Sequence, residues 1–328
     1  MKETFAKKPQ QGEPWDVIII GSGPAALTSA IYTTRGAAST LIIGGEIWGG
    51  QLMLTTTVDN FPGFPQGILG PKLMGEMRAQ AERFGAEFIG ENAQTVDFSQ
   101  RPFQVTAAGK IYLGKSVIIA TGAETKWLDV PGLKKLIGRG VSSCAPCDAA
   151  FFKDKKVAVV GGGDSAMEEA LTLTKYATEV TIIHRRDEFR ASAAMQQKVK
   201  ENPKIKILWN TEVTEVIGEQ KLEKLKLNNN KDNTTSEFTV DGLFVAIGHV
   251  PSTQIFGGKI ELDEKGYVKR MPNDKLQMIN GYKTATNVQG VFVSGDVHDY
   301  QYKQAVTAAG FGCMAAMDAI KYLGELKD

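Results

Sequence analysis

The chain has 328 residues, 42% of them apolar and 23% charged, which is the make-up of a folded soluble protein with more chain than one hydrophobic core usually organises. With 38 basic against 37 acidic residues it carries no net field for nucleic acid or anionic lipid, so a small, locally read partner is expected. The longest uncharged stretch, Val17 to Thr34, is broken by Gly21, Gly23 and Pro24 and does not read as a bilayer span.

The first fifteen residues mix Lys2, Glu3, Lys7, Lys8 and Glu13 with two prolines and have no apolar segment, so a short frayed extension and a cytoplasmic address are expected in place of a secretory signal. Next comes Asp16-Val-Ile-Ile-Ile20, a β-branched run that reads as a buried parallel strand, then Gly21-Ser-Gly-Pro-Ala-Ala26 and a helical Leu27 to Arg35. Gly21 permits the tight turn, and Gly23 lets the backbone approach a pyrophosphate. Ala26 allows close packing of helix on strand, and the helix N-terminus offers its unpaired N–H groups. Ser22, Pro24 and Ala25 fall in the same turn. A second strand, Thr40 to Ile43, leads to Glu46, at the spacing of a ribose hydroxyl partner.

Lys115 to Gly122 is an apolar run ending in glycine, and Gly242 to Gly248 is another; they bracket a second unit of the same kind and read as crossing points between domains. Inside that unit stand Lys156-Val-Ala-Val-Val160, the turn Gly161-Gly-Gly-Asp-Ser-Ala166 and a helical Met167 to Tyr176. Gly161, Gly163, Asp164 and Ser165 are the binding candidates of this turn. The following strand, Glu179 to Ile183, ends not in an acid but in His184-Arg185-Arg186, with Arg190 a helical turn on. An acid there would suit the ribose diol of NAD, whereas clustered arginines suit a 2′-phosphate and favour NADP; the plainer reading is a solvated charged face. Asn228 to Thr235 reads as a hairpin loop. After the second crossing come a strand at Gly290 to Ser294, Gly295-Asp296, and an Ala/Gly-rich helix from Gln304 to Leu323. The fold expected is α/β, with two Rossmann-like three-layer domains. Residues 1–124 and 253–328 would form one discontinuous domain, and 125–252 the inserted one.

The three cysteines are Cys144, Cys147 and Cys313. Cys313, among small apolar residues, is expected to be a buried inert thiol. Ser142-Ser-Cys144-Ala-Pro-Cys147-Asp148 admits half a zinc site, a redox pair or coincidence. Zinc needs about four ligands, and the chain has no second such pair and only three scattered histidines, so no metal is expected. Proline is favoured at the start of a helix, so Pro146 would begin one through Cys147 to Phe152 and set Cys147 at a positive helix end, where a thiolate is favoured. It would also hold Ala145 extended. Asp148 is either a proton donor and acceptor for the pair or a purely stabilising acid; the helix end would lower its pKa, against service as an acid at neutral pH.

From about Trp15 to Leu323 the chain resembles low-molecular-weight, bacterial-type thioredoxin reductases, a class of pyridine nucleotide-disulfide oxidoreductase. The resemblance rests on the two glycine turns, Gly49-Gly-Gln-Leu52, Asn60-Phe-Pro-Gly63, Ala120-Thr-Gly122, the cysteine pair with Asp148, His184-Arg-Arg-Asp-Glu-Phe-Arg190, Val245-Ala-Ile-Gly-His249, and Gly295-Asp296 with Tyr302-Lys-Gln-Ala305. It implies a homodimer with FAD in the discontinuous domain and NADPH in the inserted one. Electrons would pass from NADPH through FAD and the cysteine pair to thioredoxin, and the two domains would alternate between orientations.

By position, the resemblance makes Cys147 the sulfur that faces the flavin, Cys144 the one that attacks thioredoxin, and Asp148 the acid. Arg185, Arg186 and Arg190 become the 2′-phosphate clamp. Gly50, Gln51, Asn60, Ala120, Thr121, Gly122, Ile247, Gly248, Asp296, Lys303, Gln304 and Ala305 join the cofactor-binding positions. Three features depart from the family pattern: Pro146 stands where Thr or Val is usual, Lys303 where arginine is usual, and Ala26 and Ala149 where glycine is common. A ferredoxin-driven or peroxiredoxin-system reductase is the competing enzyme reading, and a flavin- or nucleotide-binding sensor the competing non-enzyme one.

Overall fold

A computed structural model describes residues 7–55, 57–271 and 281–326; the first six residues of the expected N-terminal extension lie outside them. The chain divides into two compact units, Met1–Glu124 with Val250–Asp328, and Thr125–His249. The return falls before residue 252 because Ser252 belongs to the first unit: its N–H donates to the Gly122 carbonyl (3.0 Å) and its carbonyl accepts from the Thr121 hydroxyl (2.7 Å).

In the first unit the strand Trp15–Ile20 lies between Thr40–Ile43 and Lys110–Ile119, parallel to both, with Glu87–Ile89 beyond Thr40–Ile43. Its run of β-branched residues is unbroken because both faces are covered: Val17 and Ile19 enter one core with Leu27, Ala30 and Ala315, while Ile18 and Ile20 enter another with Phe103, Val105 and Phe256. The ten-residue strand Lys110–Ile119 forks. Its first half pairs antiparallel with Phe103–Ala107, which pairs in turn with Ala93–Asp97, and its last three residues run parallel to Val291–Val293.

The first helix, Pro24–Arg35, starts three residues earlier than the apolar periodicity predicts, because proline suits a first turn. It packs on the last helix, Ala305–Glu325, at Gly312, where an added Cβ would lie 2.3 Å from the Ala25 carbonyl oxygen. Ser29 donates to both the Ala25 (2.9 Å) and Gly312 (3.0 Å) carbonyls and so bonds the two helices directly.

The second unit holds five parallel strands in the order Val141–Ser142, Gly242–Val245, Lys156–Val160, Glu179–Ile183 and Ile205–Leu208. A three-stranded antiparallel sheet, Thr211–Ile217, Lys224–Asn229 and Thr235–Thr239, adjoins it; the hairpin connection is residues 230–234, and Asn228, Asn229 and Thr235 of the expected loop are strand residues. The helix after the glycine turn is Asp164–Leu173, shifted towards the N-terminus of the expected Met167 to Tyr176. It begins at once after Gly163, and Tyr176, 41% exposed, lies past its end. Among the described residues no helix is long and apolar enough to cross a membrane.

Candidate active site

Both glycine turns stand at the C-terminal ends of parallel strands, where a sheet of this kind opens a crevice. In the first unit Gly21 has φ 122°, and an added Cβ would lie 2.1 Å from the Ala120 carbonyl oxygen, so the turn passes directly over Ala120-Thr121-Gly122. Gly23 is extended, caps the helix Pro24–Arg35 without any side-chain hydrogen bond, and has open space where a Cβ would project. The first-turn N–H groups of that helix therefore face a crevice. Ser22 is otherwise committed: its buried hydroxyl donates to the Gly44 carbonyl and accepts the Gly49 N–H (3.0 Å), tying the turn to the segment that carries Glu46, Gly50 and Gln51. Glu46 itself is exposed.

The crevice collects residues distant in sequence. Gln51 Nε2 reaches the Ala123 carbonyl (3.5 Å), and Asn60 Nδ2 donates to Gln304 Oε1 (3.2 Å). Gln304 caps the last helix, whose first residue is Ala305, in a reciprocal capping box with Thr307, and Lys303 before it takes a left-handed φ of 48°. Gly295 has φ 75° and packs on Ala25, where an added Cβ would lie 2.8 Å from the Ala25 Cβ. Beside it Ser294 Oγ and Asp296 Oδ1 are buried with no hydrogen-bond partner among the described residues. Burial first, then Asp299, pushes the Asp296 carboxyl up to about 7, against the pull of Lys303. A buried acceptor of this kind calls for a donor from outside the chain. With the uncapped helix end it fits a dinucleotide-type cofactor that brings hydroxyl and phosphate groups.

In the second unit an added Cβ at Gly161 would lie 2.5 Å from the Ala246 carbonyl oxygen, so this turn crosses the segment leading to Ile247 and Gly248. Gly163 is extended with open space around it and caps Asp164–Leu173 without a side-chain bond, and Ser165 is exposed in that helix's first turn. The Asp164 carboxylate is turned aside: it accepts the Ser192 N–H (2.9 Å) and hydroxyl (2.8 Å), and those bonds, backbone first, hold its pKa below the usual carboxylate value.

His184 is not at the surface with the arginines. Its ring is 6% exposed and fills the space beside Gly162, where an added Cβ would lie 2.1 Å from it, and Nε2 lies 2.8 Å from the Glu188 carbonyl. Burial first, then Arg190 and Arg186, lowers its pKa, and the ring props the glycine turn from beneath. Arg185, Arg186 and Arg190 are exposed, and among the described residues their guanidinium groups form no ion pair. The backbone around them is pinned from three sides: Arg190 N–H donates to the Gly162 carbonyl (2.7 Å), Asn210 N–H to that of Arg186 (3.0 Å), and Asn230 Nδ2 to that of Arg185 (3.3 Å). Three unpaired cations on a fixed loop beside an uncapped helix end suit a multiply charged anion.

Cys144 and Cys147 form a disulfide with a Cα–Cα distance of 5.3 Å, immediately after the edge strand Val141–Ser142. The extended residue is Cys144, the cap, and not Ala145, which is already the first helical residue; the Cys147 and Asp148 N–H groups both donate to the Cys144 carbonyl (3.2 and 3.1 Å). Closing the ring requires this turn and overrides the restriction that proline places on the residue before it. The helix is one turn, Ala145–Asp148, followed by a tighter turn, Ala149–Phe152. Such a turn carries little macrodipole. The opposed pulls on Asp148 are thereby decided: burial raises its pKa, and the hydrogen bond from Ser142 offsets this only in part.

Ser142 is a residue the motif reading passed over. Its hydroxyl donates to Asp148 Oδ2 (2.5 Å) and accepts the Cys144 N–H (3.1 Å), so one side chain links acid and disulfide. Cys313 is half-buried and not fully buried as expected, with Sγ 3.9 Å from Met317 Sδ and close to the Tyr32 hydroxyl, since Tyr32 and Met317 are themselves exposed. Among the described residues no cluster of side chains could hold a metal ion.

A family model described as pyridine nucleotide-disulphide oxidoreductase matches residues 15–312. A thioredoxin reductase of Streptomyces coelicolor is 51% identical, with 95% of each chain covered, and one of Rickettsia felis is 46% identical over 94% of this chain and 98% of its own. Among solved structures, thioredoxin reductase from Giardia duodenalis aligns with a TM-score of 0.87 at 41% identity, covering 95% of this chain and 99% of the other. The enzyme from Streptococcus pyogenes aligns at 0.88 and 36%, covering 95% and 98%. On these similarities the chain belongs to the pyridine nucleotide-disulphide oxidoreductases, among the thioredoxin reductases.

Proposed function

We propose that this protein is an NADPH-dependent thioredoxin reductase that uses FAD and the Cys144–Cys147 disulfide. The observation that carries the reading is the disulfide closed on one helical turn, with the carboxyl of Asp148 held above its usual pKa two bonded contacts away through Ser142. The first crevice, with Asp296, Gln51, Asn60 and Gln304, would hold FAD. The second, with Gly163 and the three arginines, would hold NADPH. When bound, these groups supply the two-electron reducing chemistry.

The chain's own part is thiol and proton chemistry. Opening the disulfide takes two electrons and two protons and yields two thiols. The Cys144 sulfur, as thiolate, then attacks the thioredoxin disulfide; the resulting mixed disulfide is broken by Cys147, which restores the Cys144–Cys147 bond and releases dithiol thioredoxin. Asp148 holds a proton where one must be delivered to a departing sulfur and recovered from an attacking one. The unpaired arginines favour NADPH over a ferredoxin donor. A cytoplasmic setting suits a chain with one redox pair and one further cysteine, and a homodimer suits the exposed Tyr32, Met314 and Met317.

The test is to mix the flavin-loaded protein anaerobically with NADPH, and separately with NADH, then add oxidised thioredoxin. Bleaching by NADPH followed by reoxidation on adding thioredoxin is expected. Absence of bleaching by NADPH would remove this donor assignment.

Asp148→Asn is expected to lower thioredoxin turnover about 10²–10⁴-fold, the usual worth of a positioned acid or base. Because burial raises the Asp148 pKa, the carboxyl keeps its proton to higher pH than an ordinary aspartate and loses it as pH rises through that value. The wild-type pH–rate profile should therefore carry a limb that D148N lacks; a limb common to both proteins would assign it elsewhere.

A further inference from the structure

The N–H of Ala145, the first amide of the turn that carries both cysteines, donates to a carboxylate oxygen of Glu169 (2.5 Å). Glu169 lies on the helix Asp164–Leu173, in the same unit, half-buried on the side of Ala166, Ala170 and Leu173, which are fully buried. A surface acid at this spacing would face solvent. Here the helix lays its small residues against the cysteine turn and brings a carboxylate to the amide between the two sulfurs. Asp148 and Glu169 are the carboxyl groups hydrogen-bonded to this turn or to the strand before it, among the described residues.

The contact has two physical effects. It fixes the first amide of the turn, so the Cys144 cap and the one-turn helix keep their geometry when the sulfurs separate. It also brings a carboxylate close to the pair, and a negative charge near a sulfur disfavours its thiolate. Stabilised thiolate makes the dithiol/disulfide couple more oxidising, and destabilised thiolate makes it more reducing.

We propose that Glu169 is a positioning residue for the redox pair, holding the cysteine turn through the Ala145 amide and biasing the opened pair towards neutral thiols, which makes the dithiol a stronger reductant for its protein substrate. This rests on the reading of Cys144 and Cys147 as a redox pair. In the couple concerned, reduced dithiothreitol gives two electrons and two protons, the Cys144–Cys147 bond breaks into two S–H groups, and the reagent closes to its cyclic disulfide.

The test uses the flavin-loaded protein without thioredoxin. It is equilibrated with mixtures of reduced and oxidised dithiothreitol, and iodoacetamide labelling of Cys144 and Cys147 is followed against pH by peptide mass. Glu169→Gln keeps an acceptor for Ala145 and removes the charge. Its labelling midpoint is expected to fall by about one pH unit, and its equilibrium to move by up to about tenfold, or about 30 mV, in the oxidising direction. Glu169→Asp, which keeps the charge, should restore the wild-type midpoint, and Glu169→Ala should shift in the same direction as E169Q should the latter not fold. An unchanged midpoint in E169Q or E169A, with the pair opening normally, overturns the role of Glu169. Failure of the wild-type pair to open and label at all overturns the redox reading beneath it.

Discussion

Cys147→Ser should lose thioredoxin reduction by on the order of 10⁴-fold or more, the scale on which removal of a covalent group acts, while NADPH still bleaches the flavin at close to the wild-type rate. The separation follows from where the residues stand. Cys147 lies in the turn Ala145–Asp148, whereas the proposed NADPH contacts are Gly163 and the arginines of a different loop. Serine cannot close a disulfide with Cys144 or break a mixed one, so the variant should also trap thioredoxin covalently on Cys144, visible as an added mass removed by reductant. Anaerobic stopped-flow absorbance reads the first half and thioredoxin-coupled turnover the second. A variant that still turned over thioredoxin would show that electrons leave by another route.

The second large effect is expected at the arginine loop. Arg186→Ala should raise the KM for NADPH about 10- to 100-fold, since a charge-assisted hydrogen bond is worth about 1.5–3 kcal/mol and each 1.4 kcal/mol is tenfold. It should leave kcat for NADPH, and both constants for NADH, nearly unchanged. The guanidinium groups of Arg185, Arg186 and Arg190 are exposed, so the NADPH preference should also weaken as ionic strength rises. Paired NADPH and NADH kinetics at low and high salt check this. Equal losses with both nucleotides would mean that the arginine holds the loop and does not read the phosphate.

The parallel strands were readable to the residue: Thr40–Ile43, Lys156–Val160 and Glu179–Ile183 coincide with their sequence bounds, because each is a β-branched run buried through its middle on both faces. Helix limits were less so. Asp164–Leu173 starts where the glycine turn releases it and not where its apolar spacing begins. The antiparallel pair Ala93–Asp97 and Phe103–Ala107, five residues each with polar residues alternating, gave no run strong enough to read.

At the candidate site the motif reading named backbone positions and charges and did not give side-chain directions. His184, Asp164 and Ser22 fall inside motifs, yet their polar atoms point at Glu188, Ser192 and Gly44. For Asp164 and Ser22 those destinations depend on packing between segments far apart in sequence, and for His184 on the course of the loop that follows it. Ser142 and Glu169 escaped because neither belongs to a recognised spacing: Ser142 lies beside the pair but its hydroxyl bonds are set by the turn, and only the fold brings Glu169 to it. The place of Glu169 among Ala166, Ala170 and Leu173 at helical spacing was the one available hint.

The bond from Ser29 to Gly312 spans 283 positions, and the strand Val291–Val293 completes a sheet begun at Trp15. During synthesis, then, the unit that starts first is finished last. Its opening strand and helix leave the ribosome long before the segment that covers them is made, whereas the inserted unit has every strand of its sheet between Val141 and Val245. The order of completion on the ribosome runs against the order of the genetic message, and the waiting half must keep the apolar faces of Trp15–Ile20 and Pro24–Arg35 from wrong partners throughout that interval.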